Sequence, residues 1–241
     1  MITKNQIKYI RGLSLKKNRI KEKCFIVEGE KSLSELLDSS FETVELFALK
    51  DWINEHKEFS KKAKAVNSKE LERISNLISP NRVLAVVKMK KQEVIRQRLG
   101  VILVLDDIND PGNLGAIIRI CDWFGVKQIV CSENTVDIYN PKVVQATMGS
   151  LFRVNVFYVN LVKYLRKVNT PIYGSYMKGE NIKNTNSESN SHLVMGNEAN
   201  GISPEVSKFI TNRVAIKNIG GITESLNVAA ATSILLHEFC N

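Results

Sequence analysis

The sequence predicts an α/β protein built on a parallel sheet, and three observations point there. From residue 101 onward, short apolar runs rich in β-branched residues alternate with helical segments, the pattern of strands buried on both faces by crossover helices. Three of those runs are followed by clusters rich in Gly and Asn, at the strand ends where such sheets collect ligands. Ahead of them lies a shorter strand–helix alternation, in the part of the chain that carries all of its charge excess.

Taken in order, "FIVEGEKSLSELLDSS" reads as a strand, a turn at Gly29 and a helix from about Lys31. "FETVELFALKDWINEH" repeats strand then helix, and "RVLAVVKMKK" adds a further strand, giving a small α/β module over residues 24–90. The polar "KKQEVIRQRLG" closes on Gly100 and reads as a linker, so the expected boundaries are 1–90, 91–100 and 101–241. The second part opens with the strand "VILVLDDI", followed by the helix "NLGAIIRICDWFG" ending at Gly125. Strand "KQIVCS", helix "PKVVQATMGSLF", strand "RVNVFYV" and helix "NLVKYLRKV" come next. Strands "PIYGSYM" and "HLVMG", helix "SPEVSKFI", strand "RVAI" and an apolar last helix complete it.

The net charge of +9 is unevenly placed: residues 1–100 hold 22 Lys+Arg against 13 Asp+Glu, and the remainder holds 12 of each. Within residues 1–23, Lys4, Lys8, Arg11, Lys16, Lys17, Arg19, Lys21 and Lys23 face only Glu22. A single charge run is most often a solvated face, but an asymmetry between two segments suits a phosphate backbone and favours nucleic acid. No apolar run approaches the roughly 20 residues of a membrane helix, so no membrane partner is expected. The N-terminus lacks the apolar core of a signal peptide. Cys24, Cys121, Cys131 and Cys240 have no metal-ligand spacing and read as reduced thiols in a cytoplasm. His56, His192 and His237 are isolated, so no metal is expected. Neither G-x-G-x-x-G after the first strand nor G-x-x-x-x-G-K-[ST] is present, which disfavours dinucleotide and P-loop enzymes.

The three clusters are "DDINDPGNLGAIIR", "GNEANG" and "KNIGGITESLN". The last poses a question: Glu224, Ser225 and Asn227 stand behind Gly220 and Gly221, just ahead of the apolar Val228–Leu236 stretch. Polar groups there either cap the helix, through Thr223 or Ser225, or hold something.

Three stretches resemble the motifs of one family. They are "NLGAIIR" with Asn113, Gly115 and Arg119, "MGNEANGIS" with Gly196, Asn197, Glu198 and Gly201, and "GGITESLNVAAA" with Glu224, Ser225, Leu226 and Asn227. In order and spacing, about 80 and about 30 residues apart, they are similar to the SpoU/TrmH branch of the SPOUT RNA methyltransferases. "ATMGSLFRV" at 146–154 resembles the family between its first two motifs, and "FIVEGEKSLSELL" resembles its N-terminal substrate-binding domain. The resemblance implies a C-terminal domain with a parallel sheet and a deep trefoil knot, paired as a homodimer, behind a small N-terminal α/β RNA-binding domain. It implies methyl transfer from S-adenosyl-L-methionine to a ribose 2′-hydroxyl of structured RNA, ribosomal RNA being preferred to transfer RNA. Catalytic roles fall by resemblance to Arg119, Asn113, Glu198, Ser225 and Asn227, and cofactor contacts to Gly196, Ile216, Ile219 and Leu226. Arg119 acts on the hydroxyl with the RNA phosphate, or only clamps that phosphate. A non-catalytic RNA-binding protein that keeps the fold is the alternative, though a pure binder has no need of all five polar residues. One departure stands out. The family's third motif begins with Ile-Pro, whereas here Ile216–Lys217–Asn218–Ile219 lacks proline. Proline fixes φ and removes a donor, so a looser cofactor loop is expected, and Asn218→Pro is expected to tighten cofactor binding modestly, provided that the native φ is near −65° and the backbone amide is not bonded.

Overall fold

A computed structural model describes residues 2–91, 100–185 and 188–240. Residues 92–99, most of the expected linker, lie outside the described residues. In chain order the first elements are α1 (Lys4–Gly12), α2 (Lys16–Glu22), β1 (Cys24–Glu28), α3 (Glu30–Leu37), β2 (Thr43–Leu49), α4 (Lys50–Glu55), β3 (Ala63–Val66), α5 (Ser68–Ile74) and β4 (Val83–Lys88). Then come β5 (Ile102–Leu105), α6 (Pro111–Trp123), β6 (Gln128–Ser132), α7 (Pro141–Thr147), β7 (Asn155–Val159), α8 (Leu161–Leu165) and β8 (Ile172–Asn181). The last are β9 (His192–Met195), α9 (Pro204–Ser207), β10 (Asn212–Ala215) and α10 (Val228–Phe239). The chain divides into two compact units, residues 1–91 with 137–152, and residues 92–136 with 153–241.

The first unit is a four-stranded sheet in the order β1–β4–β2–β3. β4 runs antiparallel to both β1 and β2, and β3 runs parallel to β2. Ile10 and Leu13 from the α1 region join Ile26, Phe47, Leu71, Ile74, Leu84 and Val86 in its core. α1 begins at a capping box in which Thr3 and Gln6 satisfy each other's backbone. Of the eight basic residues before Cys24, seven are exposed, while Arg19 is buried. Its guanidinium donates to Leu13 O at 2.9 Å, to Ser14 O at 2.8 Å and to Asp137 Oδ2 at 2.6 Å. Segment 137–152 belongs here through its apolar side: Tyr139 packs on Phe25 with ring centroids 4.5 Å apart, and Phe152 on Phe41 at 5.1 Å. The helix expected over "PKVVQATMGSLF" stops at Thr147, where Met148 turns left-handed (φ 50°).

In the second unit six parallel strands run in the order β10–β8–β9–β5–β6–β7, as the alternation predicts. Ile102, Val104, Val130, Ile172 and Val194 pack on Leu161 and Leu165 of α8 and Val206 of α9. The alternate residues Leu103, Leu105, Ile129, Cys131, Leu193 and Met195 are as deeply buried, so both faces are covered. α6 and α10 pack on each other. α6 starts at Pro111, with Asp110 Oδ1 accepting from Asn113 N at 2.7 Å.

Candidate active site

The loops after β5 and β9 hold each other by backbone. Asp106 N continues the ladder to Met195 O at 2.9 Å, and its buried carboxylate accepts from Ser203 N at 2.8 Å. Asp107, at φ 61°, accepts on its carbonyl from Asn197 Nδ2 at 2.8 Å. Asn197 and Gly201 exchange two backbone bonds of 3.0 and 2.8 Å, closing "NEANG" into a tight turn. Gly196 has no room for a side chain, because a Cβ there would lie 2.2 Å from Gly201 C and 2.3 Å from Ile202 N. What requires glycine at 196 is thus the passing backbone of residues 201–202.

The third cluster joins through one chain of amides. Asn227 Oδ1 accepts from Ala229 N at 2.9 Å and Ala230 N at 3.4 Å. Backbone N–H groups only donate, so the other end of this amide is Nδ2, which donates to Asn113 Oδ1 at 2.9 Å. Asn113 Nδ2 is then left to donate to Glu198 Oε1 at 2.6 Å. The chain has one polarity, from the first turn of α10 to a carboxylate, and each link orients the next. It answers the question posed by the polar residues ahead of a buried helix. Asn227 both caps α10 and ties it to the other two clusters. The cap is neither Thr223 nor Ser225 but Asn227.

The other expected site residues are placed nearby in sequence but are not bonded into this chain. Arg119 is exposed on α6, six residues beyond Asn113 and so roughly 9 Å farther along the axis. It makes no hydrogen bond or ion pair among the described residues. Ser225 is exposed in the loop, and Ile216 is half-buried just after β10. Ile219 is 93% exposed and Leu226 50%. Exposed apolar side chains on a glycine-rich loop are suited to pack against an aromatic base. Burial pushes the Cys121 and Cys131 thiols up, so neither offers a thiolate. Asp106 is not singled out from the sequence, while Asn197 is named only as a motif residue and Asn218 only at the missing proline, without the bonds they make. For Asn218 the signal was present, since an Asn two residues before Gly-Gly invites a side chain-to-backbone turn.

Residues 100–237 match the model of the SpoU rRNA Methylase family. The chain belongs to that family. Residues 4–85 match the MRM3-like substrate binding domain. The family assignment makes the protein an S-adenosyl-L-methionine-dependent RNA 2′-O-methyltransferase. It is similar to the 23S rRNA (guanosine(2553)-2′-O)-methyltransferase RlmP of Bacillus subtilis, with 28% identity over 98% of this chain and 96% of the relative. A putative RNA methyltransferase of the TrmH family from Porphyromonas gingivalis superposes with a TM-score of 0.90 at 34% identity, covering 99% of this chain and 98% of the other. An AdoMet-bound rRNA methyltransferase from Sinorhizobium meliloti gives a TM-score of 0.88 at 26% identity, covering 99% and 95%. These SpoU-type relatives span both units.

Proposed function

We propose that this SpoU-family chain methylates one ribose 2′-hydroxyl in ribosomal RNA, at the three loops joined by Glu198, Asn113 and Asn227. The observation that carries this reading is the hydrogen-bonded chain itself, which links a residue from each motif. A ribose hydroxyl is a poor nucleophile, so it needs a proton acceptor and close alignment. S-adenosyl-L-methionine, when bound, supplies an electrophilic methyl group on a sulfonium. Gly196, Ile216, Ile219 and Leu226 would hold it. Arg119 acts at the hydroxyl together with the RNA phosphate; its exposure, and the absence of a bonded partner among the described residues, leave it available. Asn113 and Asn227 position the ribose, Glu198 fixes their orientation, and Ser225 contributes a hydroxyl from the same loop.

Residues 1–90 serve as the RNA-binding module, supported by the exposed Lys4, Lys8, Arg11, Lys16, Lys17, Lys21 and Lys23. Their partner segment 137–152 comes from the methyltransferase part of the chain. The C-terminal domain is read as a deep trefoil knot that pairs as a homodimer. Exposed apolar groups support the pairing: Trp123 on α6 is 86% exposed and Ile234 on α10 39%. A cytoplasmic location fits the buried, unpaired Cys24, Cys121 and Cys131. Among the described residues no helix is long and apolar enough to cross a membrane. The test is a map of 2′-O-methyl groups on total RNA with and without this gene. Loss of one ribosomal RNA mark is expected; an unchanged map, or loss confined to transfer RNA, contradicts the proposal.

A further inference from the structure

The stretch from Lys217 to Asn227 is exposed throughout and contains no helix or strand. One side chain organises its first half. Asn218 Oδ1 accepts from Gly220 N at 3.0 Å and Gly221 N at 2.8 Å. Its Nδ2 donates to Gly221 O at 3.1 Å and Thr223 O at 3.4 Å. Both ends of the amide are thus spent on the backbone of the next five residues. Gly220, at φ 149° and with open space where a Cβ would stand, is glycine for the sake of this turn and not for packing.

We infer that Asn218 is a positioning residue for the cofactor loop, holding its shape by side-chain bonds. It sets the path between Ile216, at the end of β10, and Leu226, ahead of the Asn227 cap. This inference rests on the reading of residues 216–226 as part of the S-adenosyl-L-methionine site. Against the expectation that proline at 218 tightens binding, the bonds of the Asn218 side chain argue for a loss. Proline would restrict φ, but it would delete both ends of the amide that closes the turn.

Calorimetric titration with S-adenosyl-L-methionine of wild type, Asn218→Ala, Asn218→Asp and Asn218→Pro tests this, together with thermal unfolding. Asn218→Ala is expected to raise Kd about ten-fold, the size of one net hydrogen bond. Asn218→Asp keeps the acceptor for Gly220 and Gly221 and should recover most of the loss, while Asn218→Pro should bind weakly. Tm should stay constant across the set because the loop is exposed. In steady state, KM for the cofactor should rise with kcat and the KM for RNA held. Asn218→Ala binding within about two-fold of wild type, or Asn218→Pro binding more tightly than wild type, overturns the inference while leaving the cofactor site intact. A wild-type protein that does not bind the cofactor overturns the site reading itself.

Discussion

The loops after β5 and β9 and the loop before α10 meet through Glu198, Asn113 and Asn227 but are held in opposite ways. The first two are locked to each other by backbone and by buried groups: Asp106 on Ser203, Asn197 on Asp107, and Gly196 pressed against residues 201–202. The third is exposed from Lys217 to Asn227 and is held by two asparagine side chains, one closing its turn and one pinning its end to Asn113. On the proposed function, the locked loops would keep the groups around Asn113 in register while the exposed loop meets the cofactor. Changes on the locked side should cost stability, and changes on the exposed side should cost binding or rate.

The largest effect is expected at a residue that supports neither loop. Arg119→Ala should lower methyl transfer by about 10²–10⁴, with cofactor affinity and unfolding unchanged, because the side chain is exposed and unbonded among the described residues. Near-wild-type turnover in single-turnover assays would remove Arg119 from the chemistry. On the locked side, Gly196→Ala forces a Cβ to within 2.3 Å of Ile202 N. It should destabilise the second unit by about 3 kcal/mol or more, seen as a lower urea midpoint. An unchanged midpoint would show that the locked loops yield.

At the opposite end of β9 from the locked loops lies a buried histidine. His192 lies between Tyr164 Oη, 2.8 Å from Nε2, and Thr170 Oγ1, 3.0 Å from Nδ1. Burial pushes its pKa down from 6.5 to about 4. The folded protein keeps this ring neutral while the unfolded chain takes up a proton below pH 6.5, so its contribution is intact above 6.5 and is lost as pH falls from 6.5 to about 4. The loss is on the order of 3 kcal/mol. Urea titrations at stepped pH should show it for wild type and a shallower slope for His192→Gln; equal slopes would assign the acid sensitivity elsewhere. The smallest expected loss is Asn227→Ala, which removes the α10 cap at about 0.5–2 kcal/mol. Its rate defect should be non-additive with that of Asn113→Ala, since both break one chain; additive defects would mean the two asparagines act separately.

The parallel sheet was legible because its strands are continuous apolar runs such as "VILVL" and "HLVM", which no exposed element tolerates. α1 and α2 were read only as charge, although Thr3 and Gln6 spell a capping box; the buried Arg19 shows why counting basic residues overstates a surface. β3 and α5 were also passed over, despite the Asn67–Glu70 capping box. The allegiance of residues 137–152 to the first unit was not legible, because it depends on tertiary partners such as Phe25 and Phe41. Within the site, motif order brought Asn113, Glu198 and Asn227 together on paper, but the direction of their bonding follows only from the backbone N–H groups of Ala229 and Ala230.

The most direct test is methyl transfer in vitro. An unmodified ribosomal RNA transcript is incubated with this protein and methyl-labelled S-adenosyl-L-methionine, then digested to nucleosides. The account predicts label in a single 2′-O-methylnucleoside, absent with Arg119→Ala. Label on a base, or none from a wild-type protein that binds the cofactor, would contradict it.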